Sequence, residues 1–356
     1  MTMSPRERVL TAMRRQRPDR IPKTFGLTPP KELEFRQRTG CDDYAEYFDL
    51  EPRYVGIAPT RNPRDFSAYL GDVPNLDHHD EWGVGAVSAG FHHFERMVPP
   101  LRKARTPRDI ASYPWPDVLA PYRWQEVPRQ IRAWQDRGYP VSVSPPGSCG
   151  GSLFETSWYL RGQTELLIDL YDNPDLATAL LDTVNNTMIE GARRFASFGA
   201  DIMHLGDDVG SQRAMLMSPR LWRRWFKPRL KALVRAAKMV KPDILVFYHS
   251  DGFIEPIIPD LIEIGIDILN PIQPECMDPV ALKQKYGDRL AFWGTVGTQT
   301  TMPFGTPEEV RRVVRHRIDT VGPEGLLLAP THVLEPDVPW ENIVAFVEET
   351  RDYPPL

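Results

Sequence analysis

The second half of the chain alternates short apolar segments with longer amphipathic ones, and this alternation constrains the fold more than any other feature. A short apolar run bounded by turn residues predicts a buried strand, whereas apolar residues spaced three and four apart predict a helix. Strands are predicted over residues 200–206, 243–249, 266–271, 290–296 and 325–330. The helices that follow them are predicted over residues 218–240, about 254–264, 278–286, 306–321 and 338–352. Strands separated by helices in this way favour parallel pairing through right-handed crossovers.

Two of these helices carry clear start signals. Ser218 is a candidate N-cap, and Pro219 follows it at the first helical position. Thr306 and Glu309 stand at the spacing of a capping box, in which each side chain binds the backbone N–H of the other residue.

The first half of the chain adds fewer regular units. Residues 20–26 and 139–145 are predicted strands, and helices are expected near 151–172 and 174–198. The total of about seven or eight strand–helix units predicts the α/β class and favours a single (β/α)8 TIM barrel. A doubly wound open sheet is the alternative, because periodicity alone does not show whether a sheet closes.

Residues 27–135 are less regular and rich in Pro, Asp, His and Trp. We predict that they form a long irregular insert after an early strand, covering one end of the barrel. The pairs His78-His79 and His92-His93 within it are expected to be solvated loop residues. No segment stands out as a linker, so residues 1–356 are expected to form a single domain.

Charge and cysteine content argue against several classes of protein. The net charge of -5 offers no basic face for nucleic acid. Three cysteines are too few for a disulfide framework, which favours a reducing compartment. The first residues lack the apolar core of a signal peptide, and no run approaches the roughly 18 apolar residues of a membrane span. We therefore expect a cytoplasmic protein that binds neither nucleic acid nor membrane.

Polar side chains follow three of the predicted strands at the points where they end. "YHSDG" places His249 and Asp251 after one strand, "LAPTH" places His332 after another, and "HLGDD" places Asp207 and Asp208 after a third. The carboxyl ends of parallel strands meet at one edge of the sheet, so these groups can converge. Two histidines and a carboxylate are enough to hold Zn²⁺ with an open coordination position, or Fe(II) in a facial triad.

Each of these residues also has a purely structural interpretation. Asp251 could cap the helix that begins near residue 252, and His249 could be a core histidine with satisfied hydrogen bonds. Asp207 or Asp208 could cap the next helix, or one of them could accept a hydrogen bond from a substrate. The local sequence is compatible with both interpretations.

Further candidates lie on a predicted helix after a glycine-rich turn, in "GGSLFETSWYLRG". The candidate catalytic residues are Glu155, Asp207 and Asp208, and the candidate substrate-binding residues are Trp158, Arg161, Gln212 and Tyr248. The turn itself, "PPGSCGG", lacks the residue order of a phosphate loop, so no nucleotide site is predicted. Cys149 in this turn is expected to be a small buried residue.

Eight segments resemble the uroporphyrinogen decarboxylase superfamily, in order along nearly the whole chain. They are "RERVLTAMRRQRPDRIP" near the start, "DEWGVG" (80–85), "GSLFETSWYLRG" (151–162), "GDDVGSQ" (206–212), "YHSDG", "DILNPIQP" (267–274), "FWGTVGTQTTMPFGTPEEV" (292–310) and "LLLAPTHVLEPDVPWENI" (326–343). The resemblance implies a single (β/α)8 barrel, as the pattern of strands and helices also does.

Within the superfamily, the decarboxylases carry an Arg-Gln-Ala-Gly-Arg segment soon after the opening helix, whose arginines hold substrate carboxylates. This chain has "KTFGLTPPKELEFRQ" (23–37) there instead. The resemblance therefore favours the other branch, the corrinoid-linked methyltransferases and O-demethylase-like enzymes. In its thiol-methylating members a His-x-Cys element and a later cysteine hold zinc. His249 matches that histidine, Asp251 stands in the place of the first cysteine, and His332 stands near the second.

This exchange of ligands changes the expected metal chemistry. Imidazoles and a carboxylate donate less charge than thiolates, which leaves the metal a stronger Lewis acid, suited to polarising an ether oxygen. The resemblance thus implies zinc on His249, Asp251 and His332, while Fe(II), which the residue types alone also allow, is the second choice. The substrate would be a small methoxylated compound, and a separate corrinoid protein would accept its methyl group. Glu155 and Asp207 or Asp208 would orient the substrate or supply a proton, and the family also suggests a homodimer.

Three other functions compete with this one, and the first of them, an Fe(II) oxygenase that would consume O₂, is disfavoured by the family resemblance. A metal-independent decarboxylase or lyase would use His249 and Asp251 as an acid–base pair and would be indifferent to chelators. A non-catalytic corrinoid- or tetrapyrrole-binding protein would bind its ligand stoichiometrically and turn nothing over.

Overall fold

Residues 2–91 and 94–354 are described by a computed structural model of the chain, built around a curled parallel sheet of seven strands. The strands of the described residues are β1 (Arg53–Tyr54), β2 (His78–His79), β3 (Gly85–Ser88), β4 (Glu95–Val98), β5 (Val141–Val143), β6 (Ile202–Gly206), β7 (Leu245–His249), β8 (Ile268–Asn270), β9 (Ala291–Val296) and β10 (Leu326–Pro330). The large sheet has the order β1-β5-β6-β7-β8-β9-β10, so neighbouring strands follow one another in sequence. Strands β2, β3 and β4 form a separate antiparallel sheet.

Helices connect successive strands of the large sheet. The helices of the described residues are α1 (Pro5–Met13), α2 (Pro29–Thr39), α3 (Tyr44–Tyr47), α4 (Ser67–Leu70), α5 (Pro107–Ala111), α6 (Pro121–Trp124), α7 (Val127–Asp136), α8 (Leu153–Arg161), α9 (Gln163–Asp172), α10 (Pro174–Ser197), α11 (Pro219–Trp225), α12 (Lys227–Val240), α13 (Ile258–Ile264), α14 (Pro279–Tyr286), α15 (Thr301–Phe304), α16 (Pro307–Val321) and α17 (Trp340–Asp352). A 3₁₀ turn at Glu255–Ile257 precedes α13. None of the helices in these ranges is long and apolar enough to cross a membrane.

The predicted alternation of strands and helices in the second half is present, with one correction. The helix predicted over residues 218–240 is interrupted between α11 and α12, because Pro228 has no N–H to continue the hydrogen-bond ladder. The start signals are confirmed. Ser218 accepts a hydrogen bond from the N–H of Leu221 at 3.2 Å, and Thr306 and Glu309 form a capping box.

The predicted early strand at 20–26 is reduced to isolated pairings beside β10. Lys23 pairs in parallel with Leu328, and Leu27 pairs in parallel with Leu334. On its other side, the carbonyl of Lys23 accepts a hydrogen bond from the N–H of Glu51 at 3.3 Å, just before β1. The chain between α1 and α2 thus contacts both ends of the seven-stranded sheet.

The region 27–135 is more regular than the sequence suggested. It supplies β1, which pairs with β5 in the large sheet, and helix α7, which leads into β5. A strand of two residues is too short to produce an apolar run, which explains why the sequence did not reveal it. His78 and His79 form the exposed strand β2 rather than a loop, while His92 and His93 lie outside the described residues.

The two faces of the large sheet carry separate apolar cores, because side chains alternate between the faces of a strand. The outer face packs against the helices through residues such as Val246 and Phe292. The inner face of β6 to β10 encloses a smaller cluster that includes Leu245 and Leu327. Helix α1 completes that inner cluster with Val9, Ala12 and Met13.

Helix α1 lies at the amino ends of the strands. Its residue Arg6 forms a salt bridge of 2.8 Å with Asp201, which directly precedes β6. The opposite edge of the sheet, where the strands end, is therefore free of α1 and carries the polar residues considered below.

The packing of α1 against the inner face predicts a large stability effect for Met13→Ala. Met13 is fully buried, so removing its side chain leaves a cavity and is expected to lower the free energy of unfolding by about 2–5 kcal/mol. Met239→Ala is the matched control, because Met239 on α12 is 71% exposed and should change stability by less than about 0.5 kcal/mol. Urea unfolding measures both, and equal effects would contradict this role of α1.

Candidate functional site

Asp208, His249 and Asp251 converge where β6 and β7 end. The register of the two strands sets Gly206 opposite His249, and each aspartate follows its strand by two residues. Nε2 of His249 lies 3.4 Å from Oδ1 of Asp208 and 3.9 Å from Oδ1 of Asp251. One potential ligand atom from each residue lies within 4.8 Å of the other two.

Asn270 at the end of β8 orients the imidazole of His249. Oδ1 of Asn270 accepts a hydrogen bond of 2.5 Å from Nδ1 of His249, while Nδ2 of Asn270 donates to the carbonyl of Trp293 at 2.8 Å. The second bond fixes which end of the amide faces the ring, so Nδ1 carries the proton and Nε2 is directed at the two carboxylates. Sequence analysis missed Asn270, although a polar residue at the end of an apolar strand was the available signal.

The charges of these residues depend on one another. Burial opposes a positive charge on His249, but the hydrogen bond to Asp208 and the charges of Asp208 and Asp251 outweigh it and raise the pKa of His249 to about 9. Burial likewise opposes the negative charge of Asp208, yet contact with His249 lowers the pKa of Asp208 below its usual value. For Asp251, burial dominates and raises the pKa.

Asp251 does not cap the helix that follows it. That helix begins with the 3₁₀ turn at Glu255–Ile257, and its N-terminal residue Ile254 makes no side-chain cap. The N–H of Asp251 donates to Oδ1 of Asp208 at 2.7 Å, and its own buried Oδ1 accepts no hydrogen bond from any described residue. This oxygen faces His249 instead, which is the orientation expected of a ligand atom.

Asp207 and Tyr248 lie behind the sheet rather than in this cluster. Asp207 is fully buried, and its Oδ1 accepts hydrogen bonds from the N–H groups of Phe154 and Glu155 at 2.5 and 3.2 Å. It therefore caps α8, which precedes it in the chain, and not the next helix as sequence analysis considered. Tyr248 belongs to the outer core, since its neighbour His249 takes the inner side. These positions argue against the catalytic and substrate-binding roles predicted for Asp207 and Tyr248.

Glu155 at the start of α8 joins the cluster through Asp208. Its Oε2 accepts hydrogen bonds from Oγ of Ser152 at 3.1 Å and from the N–H of Asp208 at 3.4 Å. Burial, followed by the charge of Asp208, raises the pKa of Glu155. Its Oε1 lies 3.8 Å from Sγ of Cys149, and burial together with Glu155 raises the pKa of that half-buried thiol to about 12. These contacts favour the protonated form of Glu155 beside the three converging residues, and Cys149 stays a neutral thiol.

Two other predicted substrate-binding residues, Arg161 and Trp158, lie on α8. The buried guanidinium of Arg161 binds Asp169 at 2.7 Å and the carbonyls of Leu101 and Arg102, so its donors are committed to joining α8, α9 and the segment before α5. Trp158 is half-buried and packs edge-on against Tyr159, with 4.0 Å between ring centroids.

Gln212 and His332 both lie outside the group of three. Gln212 is exposed, and its Oε1 accepts a hydrogen bond from Sγ of Cys276 at 3.2 Å. His332 is exposed too, and its Nδ1 lies 3.3 Å from the carbonyl of Val333. His332 nevertheless lines the same cavity of about 250 Å³ as Asp251. The structure thus groups Asp208, and not His332, with His249 and Asp251.

A second histidine, His204, lies on the inner face one side-chain layer below His249. Its Nε2 lies 3.0 Å from Oγ of Ser142, and its ring stacks on Phe247 with 4.0 Å between centroids. Burial, and secondarily the charge of His249, lowers the pKa of His204 to about 3, so its imidazole is neutral. Sequence analysis treated it only as part of a strand. His204 lies two residues before Gly206 on the same strand, and residues two apart share a face of the sheet. This spacing was the signal that His204 faces inward.

Residues 91–353 match the protein family described as uroporphyrinogen decarboxylase (URO-D). The chain belongs to the uroporphyrinogen decarboxylase family. The resemblance predicted from its motifs is thereby confirmed. The parallel strand order of the large sheet is consistent with this family membership.

Relatives in this family carry out two chemistries. The chain is 23% identical over 290 residues to uroporphyrinogen decarboxylase 1, chloroplastic, of Oryza sativa, covering 72% of this chain and 67% of that protein. It is 26% identical over 208 residues to a methylated-thiol–coenzyme M methyltransferase of Methanosarcina mazei, covering 56% of this chain and 51% of that protein. These named relatives are enzymes, which supports an enzymatic role for this chain.

A solved structure, a methyltransferase from Methanosarcina mazei, shares the fold over 99% of both chains, with a TM-score of 0.69 and 17% sequence identity. At this identity the likeness concerns the fold alone.

The cap formed by Asp207 gives a prediction about stability. Burial, followed by the charge of Glu155, raises the pKa of Asp207 well above its usual value, which favours the neutral carboxyl group, and Asn is nearly isosteric with that group. Asp207→Asn is therefore expected to unfold like the wild type. Asp207→Ala leaves the N–H groups of Phe154 and Glu155 without their acceptor and should cost about 1–3 kcal/mol. Chemical denaturation compares the two, and a large loss in Asp207→Asn would show that the negative charge matters.

His204 gives a prediction about pH. Its pKa is lowered to about 3, whereas an unfolded histidine titrates near 6.5. Between these values the unfolded chain binds more protons, so the contribution of His204 to stability is present above about pH 6.5 and decreases as the pH falls. In the folded protein its imidazole NMR signal, assigned by its loss in His204→Gln, should not move between about pH 8 and pH 5. A titration midpoint near 6.5 would contradict this environment.

Proposed function

We propose that this chain is a metal-dependent methyltransferase of the O-demethylase kind, which moves a methyl group from a small methoxylated substrate to a corrinoid on a separate partner protein. The observation that carries the proposal is the convergence of Asp208, His249 and Asp251 at the ends of adjacent strands, with their ligand atoms within 4.8 Å. The methyltransferase among the relatives supports methyl transfer as the class of reaction.

The three residues fit a divalent metal ion, and zinc is our choice. Two carboxylates and an imidazole are ligands that zinc accepts, and Fe(II) is the second candidate. Oδ1 of Asp251 is buried without a hydrogen-bond donor, and Asn270 turns Nε2 of His249 towards both carboxylates, as a residue behind a metal ligand commonly does. His332, across the cavity from Asp251, could add a fourth ligand. Zinc at this position would act as a Lewis acid that polarises the ether oxygen.

The chain itself would orient the substrate and supply a proton to the reaction. The bond between the methyl carbon and the ether oxygen breaks with its electron pair left on the oxygen, and the acceptor's electron pair forms the new bond to carbon. The oxygen then needs a proton, and Glu155 is placed to hold one. Because Oε2 of Glu155 already accepts two hydrogen bonds, Oε1 is the oxygen that would carry this proton.

Electrostatics favour this reaction over decarboxylation of a polyanionic substrate. The cluster contains the carboxyl groups of Glu155, Asp208 and Asp251, and no Lys or Arg of the described residues forms a salt bridge with any of them. Such a site offers no cationic side chain to the carboxylates that a tetrapyrrole decarboxylase has to hold. A metal-free lyase that uses His249 as acid and Asp251 as base remains the second candidate, supported by their contact at 3.9 Å.

We also infer that the large sheet closes into a (β/α)8 barrel formed by one domain spanning residues 1–356. The segment around Lys23 would be the eighth strand, since it pairs with β10 on one side and bonds to Glu51, just before β1, on the other. A closed barrel would gather all strand ends around one mouth. The homodimer suggested by the family resemblance is part of the same proposal.

Metal analysis of purified variants tests the site. We expect about one zinc per chain in the wild type, and near none in Asp208→Ala, His249→Ala or Asp251→Ala, because each removes one of few ligands. Asn270→Ala should keep the ligands but weaken zinc binding about 10- to 100-fold. Tyr171→Ala on α9 is the control, since its side chain is 66% exposed and lies on a different element from the candidate ligands. Retention of zinc by His332→Ala would assign the site to three protein ligands.

Activity separates the candidate functions. Zinc-loaded protein with reduced cobalamin and a methoxylated compound is expected to form methylcobalamin, and a chelator should abolish this. A lyase would release its product without cobalamin and would withstand the chelator. Stoichiometric binding of cobalamin without any turnover would indicate the non-catalytic alternative.

A further inference from the structure

The segments that follow four successive strands, β7 to β10, line the cavity of about 250 Å³ beside Asp251. Because the carboxyl ends of parallel strands meet at one edge of a sheet, this cavity lies at the same edge as the candidate metal site. It is smaller than the roughly 300–1,000 Å³ of sites for drug-sized ligands, so it suits a small molecule. We refer to it as the acidic cavity. Its polar lining includes Asp251, Gln273, Thr298, His332, Glu335 and Asp337.

The side chains of the acidic cavity give it a negative charge. Asp251, Glu335 and Asp337 contribute three carboxyl groups, and no Lys or Arg is found among the described residues that line it. Lys31 donates a hydrogen bond of 2.7 Å to a backbone carbonyl of the lining segment, but its own charge is paired with Glu34. A lining of this composition attracts a positively charged ligand and disfavours an anionic one.

The carboxyl groups of the acidic cavity do not converge on one point, which argues against a second metal ion. Among the described residues, three ligand atoms within 4.8 Å of one another are found only at Asp208, His249 and Asp251. A divalent ion there would offset the charges of Asp208 and Asp251 but not those of Glu335 and Asp337. The remaining charge suits an organic cation, because an ammonium group with several N–H donors can bind carboxylates at different positions.

Gln273 gives a second, independent indication of a ligand. The residue is only 5% exposed, and its Oε1 accepts hydrogen bonds from the N–H of Gly252 at 2.6 Å and from Sγ of Cys276 at 3.6 Å. These bonds fix the orientation of the amide, so Nε2 is the end that faces the acidic cavity, where it donates to none of the described residues. A nearly buried donor without an acceptor is costly, and an oxygen atom of a bound molecule would satisfy it.

Resting on the proposed function, we propose that the substrate is a small methyl ether that also carries an ammonium group. The ammonium group binds to Glu335 and Asp337 in the acidic cavity, and the ether oxygen accepts a hydrogen bond from Nε2 of Gln273. The ether then lies beside Asp251, next to the candidate metal ligands. Charge selects this substrate, since a neutral ether of the same size would lose the ionic contacts and a carboxylate would be repelled.

Calorimetric titration with two probes that differ in charge tests this proposal. The amine 2-methoxyethylamine is a cation at pH 7, because an alkylamine titrates well above that pH, as the side chain of lysine does. The alcohol 2-methoxyethanol has nearly the same size and the same methyl ether but is neutral. The protein as purified is expected to bind the cation at least about tenfold more tightly than the alcohol. Added salt should weaken binding of the cation and leave that of the alcohol unchanged.

Two nearly isosteric substitutions test whether the acidic cavity is the binding site. Glu335→Gln and Asp337→Asn each remove one charge, so each should weaken binding of 2-methoxyethylamine about 3- to 10-fold and leave 2-methoxyethanol unchanged. Asp172→Asn is the charge-matched control, because it removes the same charge from an exposed position on α9 and should bind both probes as the wild type does. Thermal unfolding of each variant shows whether it is folded before titration.

Equal affinities of the wild type for both probes, no binding of 2-methoxyethylamine, or a loss in Asp172→Asn as large as that in Asp337→Asn would overturn the proposal. The titrations need no corrinoid, so their outcome is separable from turnover. Selective binding of the cation without methyl transfer to cobalamin would refute the proposed function alone. Methyl transfer from 2-methoxyethanol, bound as tightly as the cation, would refute the charge selectivity alone.

Discussion

Parallel pairing of β6 with β7 aligns Gly206 with His249, and the candidate site follows from that register. Because side chains alternate along a strand, a slip of one residue would turn His249 to the helices and bring Tyr248 inward. The same pairing carries the backbone bond from the N–H of Asp207 to the carbonyl of His249 at 2.9 Å, so the two aspartates after β6 are held on opposite sides. Asp207 then caps α8, and Asp208 meets His249.

The site brings together several acidic groups, and burial disfavours the negative charge of each of them. Burial raises the pKa of Asp207 behind the sheet and that of Glu155 in front of it, which disfavours a negative charge on either group. Asp208 is compensated by His249, whose orientation depends on Asn270. These contacts leave Oδ1 of Asp251 buried without a hydrogen-bond donor among the described residues, which is the basis of the proposed metal ion.

The family to which the chain belongs includes a decarboxylase and a methyltransferase among its relatives. A common sheet can support both, since function resides in the side chains at the strand ends and not in the sheet itself. In this chain those ends carry carboxylates and histidines, and the arginine-rich segment typical of the decarboxylases is missing from residues 23–37. Both features are consistent with the proposed methyl transfer and offer no cationic partner to a polycarboxylate substrate.

The sequence by itself determined the order of strands and helices in the second half, because hydrophobic period and helix-start residues are local properties. It also identified His249 and Asp251, which lie two residues apart after one strand. It did not reveal β1, whose two residues form a strand only through pairing with β5. The grouping of Asp208 with His249, the support from Asn270, and the inward position of His204 depend on the register between different strands. Register is set by packing across the whole sheet, so only the tertiary structure decided which polar residues meet and which, like Arg161 and Asp207, hold the fold together.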